Sequence, residues 1–290
     1  MFIIKYKTLF ISIAIFMVAV SVILVAHFGI KKGIDFTGGT VVEILYTKDA
    51  QVPDHATFEA QGVKVFSTGG ASYKFISQKP YEETVAIIST LLNKSLHPYT
   101  ETQVSTVGPS MGAEMTKKAL IAITVVAIAI LSFIAFAFRE VSVPVASWKY
   151  GVVAMITIIH DIIVPTGVYA YLSHAYGAEV DTLFIVALLT VMAVTISDKI
   201  VVFDRIRENL KVQGHKRAFQ DVVGDSLSQT FTRSINTSVT VIISLLALYF
   251  IGPVSTKFFS LTLMVGIIVG TYSSIFVASP MLTYFVSKKK

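Results

Sequence analysis

The chain has 290 residues, of which 54% are hydrophobic and 14% are charged, and its mean hydropathy is +0.72. A soluble domain usually carries about 25% charged residues, so this composition excludes an ordinary soluble enzyme. Its high hydrophobicity excludes a disordered chain. The absence of cysteine excludes a disulfide scaffold, a thiol nucleophile and a cysteine-ligated metal site.

Six segments are long and apolar enough to cross a bilayer, which takes about 20 residues per helix. The first is longer than the apolar core of a cleaved signal peptide, so it predicts a signal anchor that stays in the chain. The sequence therefore predicts an α-helical polytopic membrane protein with transmembrane helices at 8–28, 119–138, 150–172, 182–203, 234–251 and 258–286.

Lysine and arginine predict which side of the membrane each loop faces, because short cytoplasmic loops are enriched in both. With the N-terminus in the cytoplasm, the cytoplasmic segments hold 13 of these residues and the two short outer loops hold only Lys257. Both termini are therefore predicted to be cytoplasmic, with a cytoplasmic loop at 204–233 and a basic tail at 288–290. The net charge of +6 indicates this topology and contact with anionic membrane lipid. No nucleic acid partner is expected, since no basic stretch is interleaved with aromatic residues.

The loop between the first two spans has the size of a small domain. Its apolar periodicity predicts strands at 39–46, 63–67, 73–77 and 100–107 and helices at 53–61 and 81–93. This order of elements predicts an α+β ferredoxin-like domain on the extracytoplasmic, or periplasmic, side. The predicted domains are 1–28 for the N-terminal tail and first span, 29–118 for the α+β domain, and 119–290 for the other five spans.

Two acidic residues lie within predicted spans, where an ionised side chain costs about 2.5–3.5 kcal/mol on insertion scales. Asp161, beside His160, fits two interpretations equally: a carboxyl that exchanges protons, or a neutral carboxyl bonded to a neighbouring hydroxyl or backbone group. His160 itself more often completes a hydrogen bond than relays protons. For Asp198, a function is favoured over pairing with a basic neighbour at the membrane surface.

Arg233 opens the fifth span, where anchoring by a basic residue is favoured over pairing with a carboxylate on another helix. Carboxylates inside the bilayer, together with a folded outer domain, are compatible with proton-driven transport. The sequence has no Walker A loop and no His-Glu-x-x-His motif, and ATP hydrolysis and protease chemistry are unsupported. We expect no enzyme activity, no cofactor and no metal site.

The fourth span ends in a run of charged and polar residues. On a helix, Asp204 supports Arg207 three residues later, whereas Glu208 repels Asp204 across one turn. A charged helix end at the membrane surface also explains this run without any function. The run comprises Asp204, Arg205, Arg207, Glu208 and Asn209.

Four stretches carry a resemblance to a known family. They are Gly-Ile-Asp-Phe-Thr-Gly-Gly-Thr at 33–40, Val-Gly-Pro-Ser-Met-Gly-Ala-Glu at 107–114, Asp198 with Val-Val-Phe-Asp-Arg-Ile-Arg-Glu-Asn at 201–209, and the stretch 228–238 around Arg233. They span nearly the whole chain in the order of the family. Together they resemble the SecF proteins of the SecD/SecF protein-export family.

The resemblance implies a subunit of the Sec protein translocase that pairs with SecD, each resembling half of a resistance-nodulation-division (RND) transporter. It also implies association with the SecYEG channel and YajC and contact with the translocating preprotein. Such a subunit uses the proton-motive force to promote late-stage translocation across the bacterial inner (plasma) membrane.

Several residues receive expected roles from the resemblance. The family's intramembrane acid corresponds to Asp198 and its functional arginine to Arg233, which replaces the anchoring interpretation of Arg233. Asp161 is expected to tune this proton pathway, and the charged run at 204–209 is its supporting motif. The outer domain is expected to be anchored through Gly33, Asp35, Gly38 and Gly39.

Two positions beside Asp198 depart from the family pattern, which usually has Asn before and Thr after this acid. Here they are Ser197 and Lys199. Lys199 places a second charge beside the expected proton carrier, so the coupling ion, proton or sodium, stays open. Two other functions also stay open. One is an RND-type half-exporter of lipids or small molecules acting as an oligomer, against which the single small outer domain argues. The other is a scaffold that holds a translocase together without transport.

Overall fold

The computed structural model describes residues 2–46, 55–69, 71–92, 99–138, 145–213 and 217–286. The chain divides into two compact units. The helix bundle comprises Met1–Ile30, Ala122–Ala178 and Leu183–Lys290, and the α+β unit comprises Lys31–Ile121 and Glu179–Thr182. The basic tail predicted at 288–290 lies outside the described residues.

The secondary structure is mostly helical. The helices are α1 Phe2–Lys5, α2 Lys7–Phe28, α3 Ile34–Thr37, α4 His55–Glu59, α5 Tyr81–Leu92, α6 Pro109–Ala137, α7 Ser147–Tyr176, α8 Thr182–Gln213, α9 Phe219–Ile251, α10 Lys257–Tyr272 and α11 Ser279–Leu282. The strands are β1 Gly39–Tyr46, β2 Val63–Gly69, β3 Ser72–Ser77 and β4 Tyr99–Val107.

Six helices in the described ranges are long and apolar enough to cross a membrane, which confirms the six predicted spans. They are α2, α6, α7, α8, α9, and α10 with its continuation to Phe285. The helices are longer than the apolar segments. For example, α9 begins at Phe219 rather than 234, because Phe219, Val222, Val223 and Leu227 are buried at helical spacing in its polar first part. Hydropathy therefore predicts the apolar part of each helix and not its ends.

The α+β unit has a four-stranded sheet in the order β2-β3-β1-β4, in which all neighbouring strands are antiparallel. With α4 between β1 and β2 and α5 between β3 and β4, this is the predicted ferredoxin-like arrangement, which is confirmed. Val42, Ile44 and Phe75 are fully buried in the sheet, and they pack with Phe58 and Ile88 from the two helices. The short α4 covers the middle of the helix predicted at 53–61: it ends at Glu59, and residues 53–54 lie outside the described ranges.

In the helix bundle, α7, α8 and α10 are the most buried of the six long helices. Small residues allow their backbones to approach closely, as is common in membranes. A Cβ atom at Gly167 of α7 would lie 2.4 Å from Cβ of Ser21 on α2, and a Cβ atom at Gly266 of α10 would lie 2.2 Å from a methyl group of Val191 on α8. The inner helices therefore leave no room for side chains at these crossings.

The last span changes its helical pitch part of the way along. A π-helical segment, Ser273–Ala278, separates α10 from α11, and Pro280 lies in the first turn of α11. Proline has no N–H to donate to the carbonyl four residues before it. The wider π-helical turns end at Ala278, just before this proline. Pro280 therefore coincides with a change of pitch within a continuous helix. Single π-helical turns of this kind occur often at functional sites.

A glycine of α10 tests the close packing of the inner helices. A Cβ atom at Gly270 would lie 1.9 Å from Cγ2 of Thr195, and a β-branched threonine on a helix has little rotamer freedom to move aside. We expect Gly270→Ala to destabilise the protein by about 1–3 kcal/mol, the usual cost of overpacking. The measurement is the melting temperature of the purified protein in detergent, followed by circular dichroism.

Gly151→Ala on α7 is the matched control for this substitution. The nearest atom to its new Cβ would be the end of the flexible Leu131 side chain at 3.2 Å, so little change is expected. Equal melting temperatures for the two variants would contradict the tight contact between α10 and α8.

Candidate functional site

Two charged side chains form an ion pair in the middle of the bundle. Nζ of Lys199 on α8 lies 2.6 Å from Oδ2 of Asp161 on α7, and both side chains are fully buried. Burying an ion costs several kcal/mol unless it is paired. The structure therefore gives Asp161 a partner, Lys199, that neither sequence interpretation of this acid included.

Residues of three helices hold the two charges in place. Nδ1 of His160 lies 3.0 Å from Oδ1 of Asp161. Ser273 interacts electrostatically with this carboxylate, and its hydroxyl donates to the Gly270 carbonyl at 3.0 Å. Lys199 also donates to the backbone carbonyl of Thr195 at 3.4 Å. We call Asp161, Lys199, His160, Thr195 and Ser273 the ion-pair site. Ser273 is the first residue of the π-helical segment, so the change of pitch in the last span occurs at this site.

Two buried polar atoms of the ion-pair site have no hydrogen-bond partner in the described part of the chain. They are Nε2 of His160 and Oγ1 of Thr195. Buried polar groups are normally bonded, and exceptions in a native structure often mark function. Histidine can accept a proton at one ring nitrogen while the other donates to a carboxylate. The geometry thus places the imidazole of His160 in contact with the carboxylate of Asp161, with its second ring nitrogen unbonded in the described ranges.

Asp198 precedes Lys199 on α8 but lies outside the ion-pair site, because consecutive residues on a helix point about 100° apart. It is 8% exposed, and within the described ranges it has neither a hydrogen bond nor an ion pair. Lys199 and Arg233 are the cations that act on it electrostatically. Asp198 is therefore a nearly buried carboxylate held near positive charge without direct pairing.

Arg233 lies on α9 with an exposed side chain, and no ion pair within 4 Å joins it to Asp198 in the part of the chain that the structure describes. Exposed polar residues continue from Arg233 along the same face of α9. We call this face the polar stripe. It comprises Arg233, Asn236, Thr237, Thr240 and Ser244.

The hydroxyl groups of the polar stripe are bonded within their own helix. Thr237, Thr240 and Ser244 each donate to the carbonyl four residues before, at 3.0, 2.8 and 3.1 Å. Their oxygens keep acceptor capacity for a neighbour. The direct pairing of Asp198 with Arg233 that the resemblance implies stays a prediction.

The charged run at the end of α8 contains two ion pairs along the helix. Arg207 contacts Asp204 at 2.9 Å, and Arg205 contacts Glu208. All four side chains are partly or largely exposed, and such pairs contribute at most about 1 kcal/mol each. The ion pairs therefore do little to fix the position of this helix end.

Asn209 connects the end of α8 to α9. Its buried amide donates to Oγ of Ser226 at 2.8 Å and to Oε1 of Gln229 at 3.0 Å. Gln229 also accepts from Nε of Arg205. These hydrogen bonds hold the two helices together beside their connection. The sequence singled out Asn209 and Arg205 but gave no role to Ser226.

The glycine-rich segment of the α+β unit is packed too tightly for side chains. Gly38 has φ +77° and Gly39 has φ +141°, conformations that favour glycine. A Cβ atom would lie 2.8 Å from Cα of Pro109 at the first position and 2.3 Å from the carbonyl oxygen of Ser77 at the second. These two glycines let the start of α6 and the end of β3 close on the same turn.

The other two residues of this segment contact the residues just before α8. The N–H of Gly33 donates to the carbonyl of Val180 at 2.8 Å. The carboxylate of Asp35 accepts from the backbone N–H of Thr182, the first residue of α8, at 2.8 Å. An acid at this position satisfies a free donor and complements the positive end of the helix dipole. The structure thus brings Gly33, Asp35, Gly38 and Gly39 together in one packed segment of the α+β unit.

A serine in the α+β unit has the spacing of a hydrolase motif. Gly108-Pro109-Ser110-Met111-Gly112 fits the pattern Gly-x-Ser-x-Gly, in which a serine follows a strand and opens a helix. A hydrolase also needs a base bonded to the serine. Ser110 is exposed, and it has no hydrogen bond in the described ranges. The pattern therefore has no hydrolase geometry. Among the described residues, no group of three or more His, Cys, Asp or Glu side chains could hold a metal ion.

Lys199 is the main residue of this site that the sequence analysis did not place. A signal for it was available, because a lysine in an apolar span requires an acidic partner. The adjacent Asp198 points away from it on the helix, which leaves Asp161 as the other acid within a span. Sequence reasoning could therefore have paired Lys199 with Asp161.

The energetic role of the ion pair can be measured with paired substitutions. Lys199→Met leaves the Asp161 charge buried without a partner and should destabilise the protein by about 3–5 kcal/mol. Replacing both residues, as Asp161→Leu with Lys199→Met, removes both charges and should recover most of this loss. The measurement is the melting temperature in sodium-free detergent buffer. A double variant as unstable as the single one would show that the two side chains act independently.

Two family models match this sequence. The C-terminal model of the protein export membrane proteins SecD/SecF matches residues 87–288. The SecD/SecF GG motif model matches residues 23–50, which include the tightly packed Gly38 and Gly39. The first match covers the ion-pair site, Asp198 and the polar stripe.

Known relatives match over nearly the whole chain. The protein translocase subunit SecF of Thermobaculum terrenum is 38% identical over 99% of this chain and 94% of its own length. The protein translocase subunit SecDF of Thermus thermophilus is 33% identical over 90% of this chain, which corresponds to 35% of that longer protein.

A solved structure matches the fold. The crystal structure of SecDF from Thermus thermophilus, a translocon-associated membrane protein, superposes with a TM-score of 0.82 at 30% sequence identity. The match covers 97% of this chain, which spans 38% of the SecDF chain. The chain therefore belongs to the SecD/SecF family of protein-export membrane proteins.

Proposed function

We propose that this multi-pass membrane protein is an accessory subunit of the Sec protein translocase. In this proposal it works with SecD and uses the proton-motive force to promote late-stage preprotein translocation across the inner membrane. Full-length similarity to SecF and SecDF supports the assignment to the translocase. The observation that carries the ion-coupling part is the group of ionisable side chains inside the bundle, where they are costly and usually functional.

The proposed proton carrier is Asp198. Its carboxylate is nearly buried and has no direct partner within the described ranges, so protonation would change the net charge of its surroundings. The Asp161–Lys199 pair is neutral overall, and its charge state stays unchanged while Asp198 gains or loses a proton. One charge moving through 100 mV supplies about 2.3 kcal/mol. We propose that Arg233 pairs with Asp198 after proton release and resets it.

The partner SecD is proposed to pack on the polar stripe of α9. A row of exposed polar side chains on a membrane helix is unfavourable against lipid and favourable against another protein. The fused SecDF relative shows that a SecD half and a SecF half work in one protein. A partner on this face would enclose Arg233 and bring it under the same low-dielectric conditions as Asp198.

The remaining assignments follow the charge distribution and the family. Both termini and the 204–233 connection are proposed to be cytoplasmic, and the α+β domain predicted at 29–118 is proposed to be periplasmic and to contact the emerging preprotein. SecYEG and YajC are the proposed further partners. Movement of preprotein requires no bond chemistry in this chain, so we propose no enzyme activity and no cofactor.

Replacing the proposed carrier tests ion coupling. We expect Asp198→Asn to slow preprotein export about tenfold or more, because a 2.3 kcal/mol drive corresponds to roughly a 50-fold bias. The measurement is the export rate of a secreted preprotein in cells whose only SecF is this chain, with membrane level and SecD association checked by pull-down.

The control is Asp221→Asn, an exposed acid in the first turn of α9, which should export normally. Normal export by Asp198→Asn would remove the proton role of Asp198. It would favour the scaffold alternative, which requires no ionisable group at this position.

A bulky residue in the polar stripe tests the proposed SecD surface. We expect Thr240→Phe to reduce co-purification of SecD severalfold, since an added ring prevents close helix packing. Val125→Phe on α6, whose side chain is also exposed, is the matched control and should retain SecD. Equal recovery of SecD with both variants would place the interface elsewhere.

A further inference from the structure

The ammonium group of Lys199 lies where a cation-binding site could be. Oδ2 of Asp161 is 2.6 Å from Nζ, and the carbonyl oxygen of Thr195 is 3.4 Å away. The hydroxyls of Ser273 and Ser274, on the last span, both donate to the Gly270 carbonyl, at 3.0 and 2.7 Å, and Ser274 also approaches the Thr195 carbonyl at 3.5 Å. A carboxylate oxygen and a main-chain carbonyl oxygen thus converge on one positive charge.

Such a set of oxygens is also the ligand type of hard metal cations. In membrane transporters, sodium is coordinated by backbone carbonyls and polar groups at irregular positions of spanning helices. The π-helical segment that begins at Ser273 is an irregular position of this kind. The side chain of Lys199 fills the space and supplies the positive charge from within the chain.

Stability alone does not explain why this lysine is retained. A buried ion pair can often be replaced by apolar residues without loss of stability. A different role fits the geometry. Because the ammonium is covalently attached to α8, it neutralises Asp161 but cannot leave the site or exchange with ions in solution.

We propose that Lys199 is a built-in cation that occupies a sodium-type site and thereby excludes sodium from the bundle. Lys199 is then the residue that determines ion specificity, and it leaves protons as the only ions that the bundle exchanges. The role of this ion specificity in protein export rests on the proposed function. The sodium-type site itself does not depend on the proposed function.

Removing the lysine should open the site. We expect purified Lys199→Met to bind radioactive sodium saturably, approaching one ion per chain, whereas the wild-type protein should bind none. Sodium chloride should also raise the melting temperature of Lys199→Met relative to choline chloride at equal ionic strength, because a ligand of the folded state stabilises it. The wild-type melting temperature should be the same in both salts.

The double variant Asp161→Leu with Lys199→Met is the control, since it lacks the carboxylate and should show no sodium effect. Sodium binding by the wild-type protein, sodium binding by the double variant, or no sodium effect on folded Lys199→Met would each overturn the proposal. If Lys199→Met is recovered only as aggregate, Lys199→Ser takes its place, because its short side chain also leaves the ammonium position open. The same outcomes then apply.

The test separates this proposal from the proposed function. Sodium binding and melting temperature are measured on the isolated protein and need no export. Normal export by Asp198→Asn would remove proton coupling through Asp198 and leave the sodium result intact. Failure to bind sodium would remove the built-in cation and leave the translocase assignment intact.

Discussion

The helix bundle depends on one constraint: a carboxylate and an ammonium group must stay together where no water is available. Asp161 and Lys199 satisfy it by direct contact, with both side chains fully buried. That contact fixes α7 against α8. Gly270 lets α10 come close to the same carboxylate, since a Cβ atom at this position would lie 3.5 Å from Oδ2 of Asp161. The two helices that carry the charges, α7 and α8, are therefore among the most buried, together with α10, and the more apolar α2 and α6 are left on the outside.

The ionisable groups of the bundle occupy graded environments. Asp161 and Lys199 are enclosed and paired, Asp198 is nearly enclosed without a direct partner in the described ranges, and Arg233 is exposed on α9. This gradient separates their proposed tasks. A tightly paired charge resists change, whereas a carboxylate near cations but not bonded to them can gain or lose a proton with little rearrangement. In the proposed cycle, Asp198 pairs with the exposed arginine when a neighbouring protein covers it.

Much of the fold follows from the sequence. Long apolar runs predict the six spans, and the alternation in β1 with turn residues elsewhere predicts the ferredoxin-like unit, because both signals are local. Helix ends such as the start of α9 were missed because their polar first turns are stabilised by tertiary packing. In the site, Asp161 and Asp198 stand out as acids in lipid. Their partners depend on helix rotation and on which helices are adjacent, and a single sequence encodes these only indirectly.

The hydroxyl groups of the polar stripe are already bonded to carbonyls of their own helix. The stripe thus presents oxygen lone pairs at these hydroxyls and N–H donors at Arg233 and Asn236. A helix that packs on this face would match it best with donors opposite the hydroxyls and with a carboxylate or carbonyl opposite Arg233. The stripe thereby selects the polar pattern of its neighbour as well as its shape.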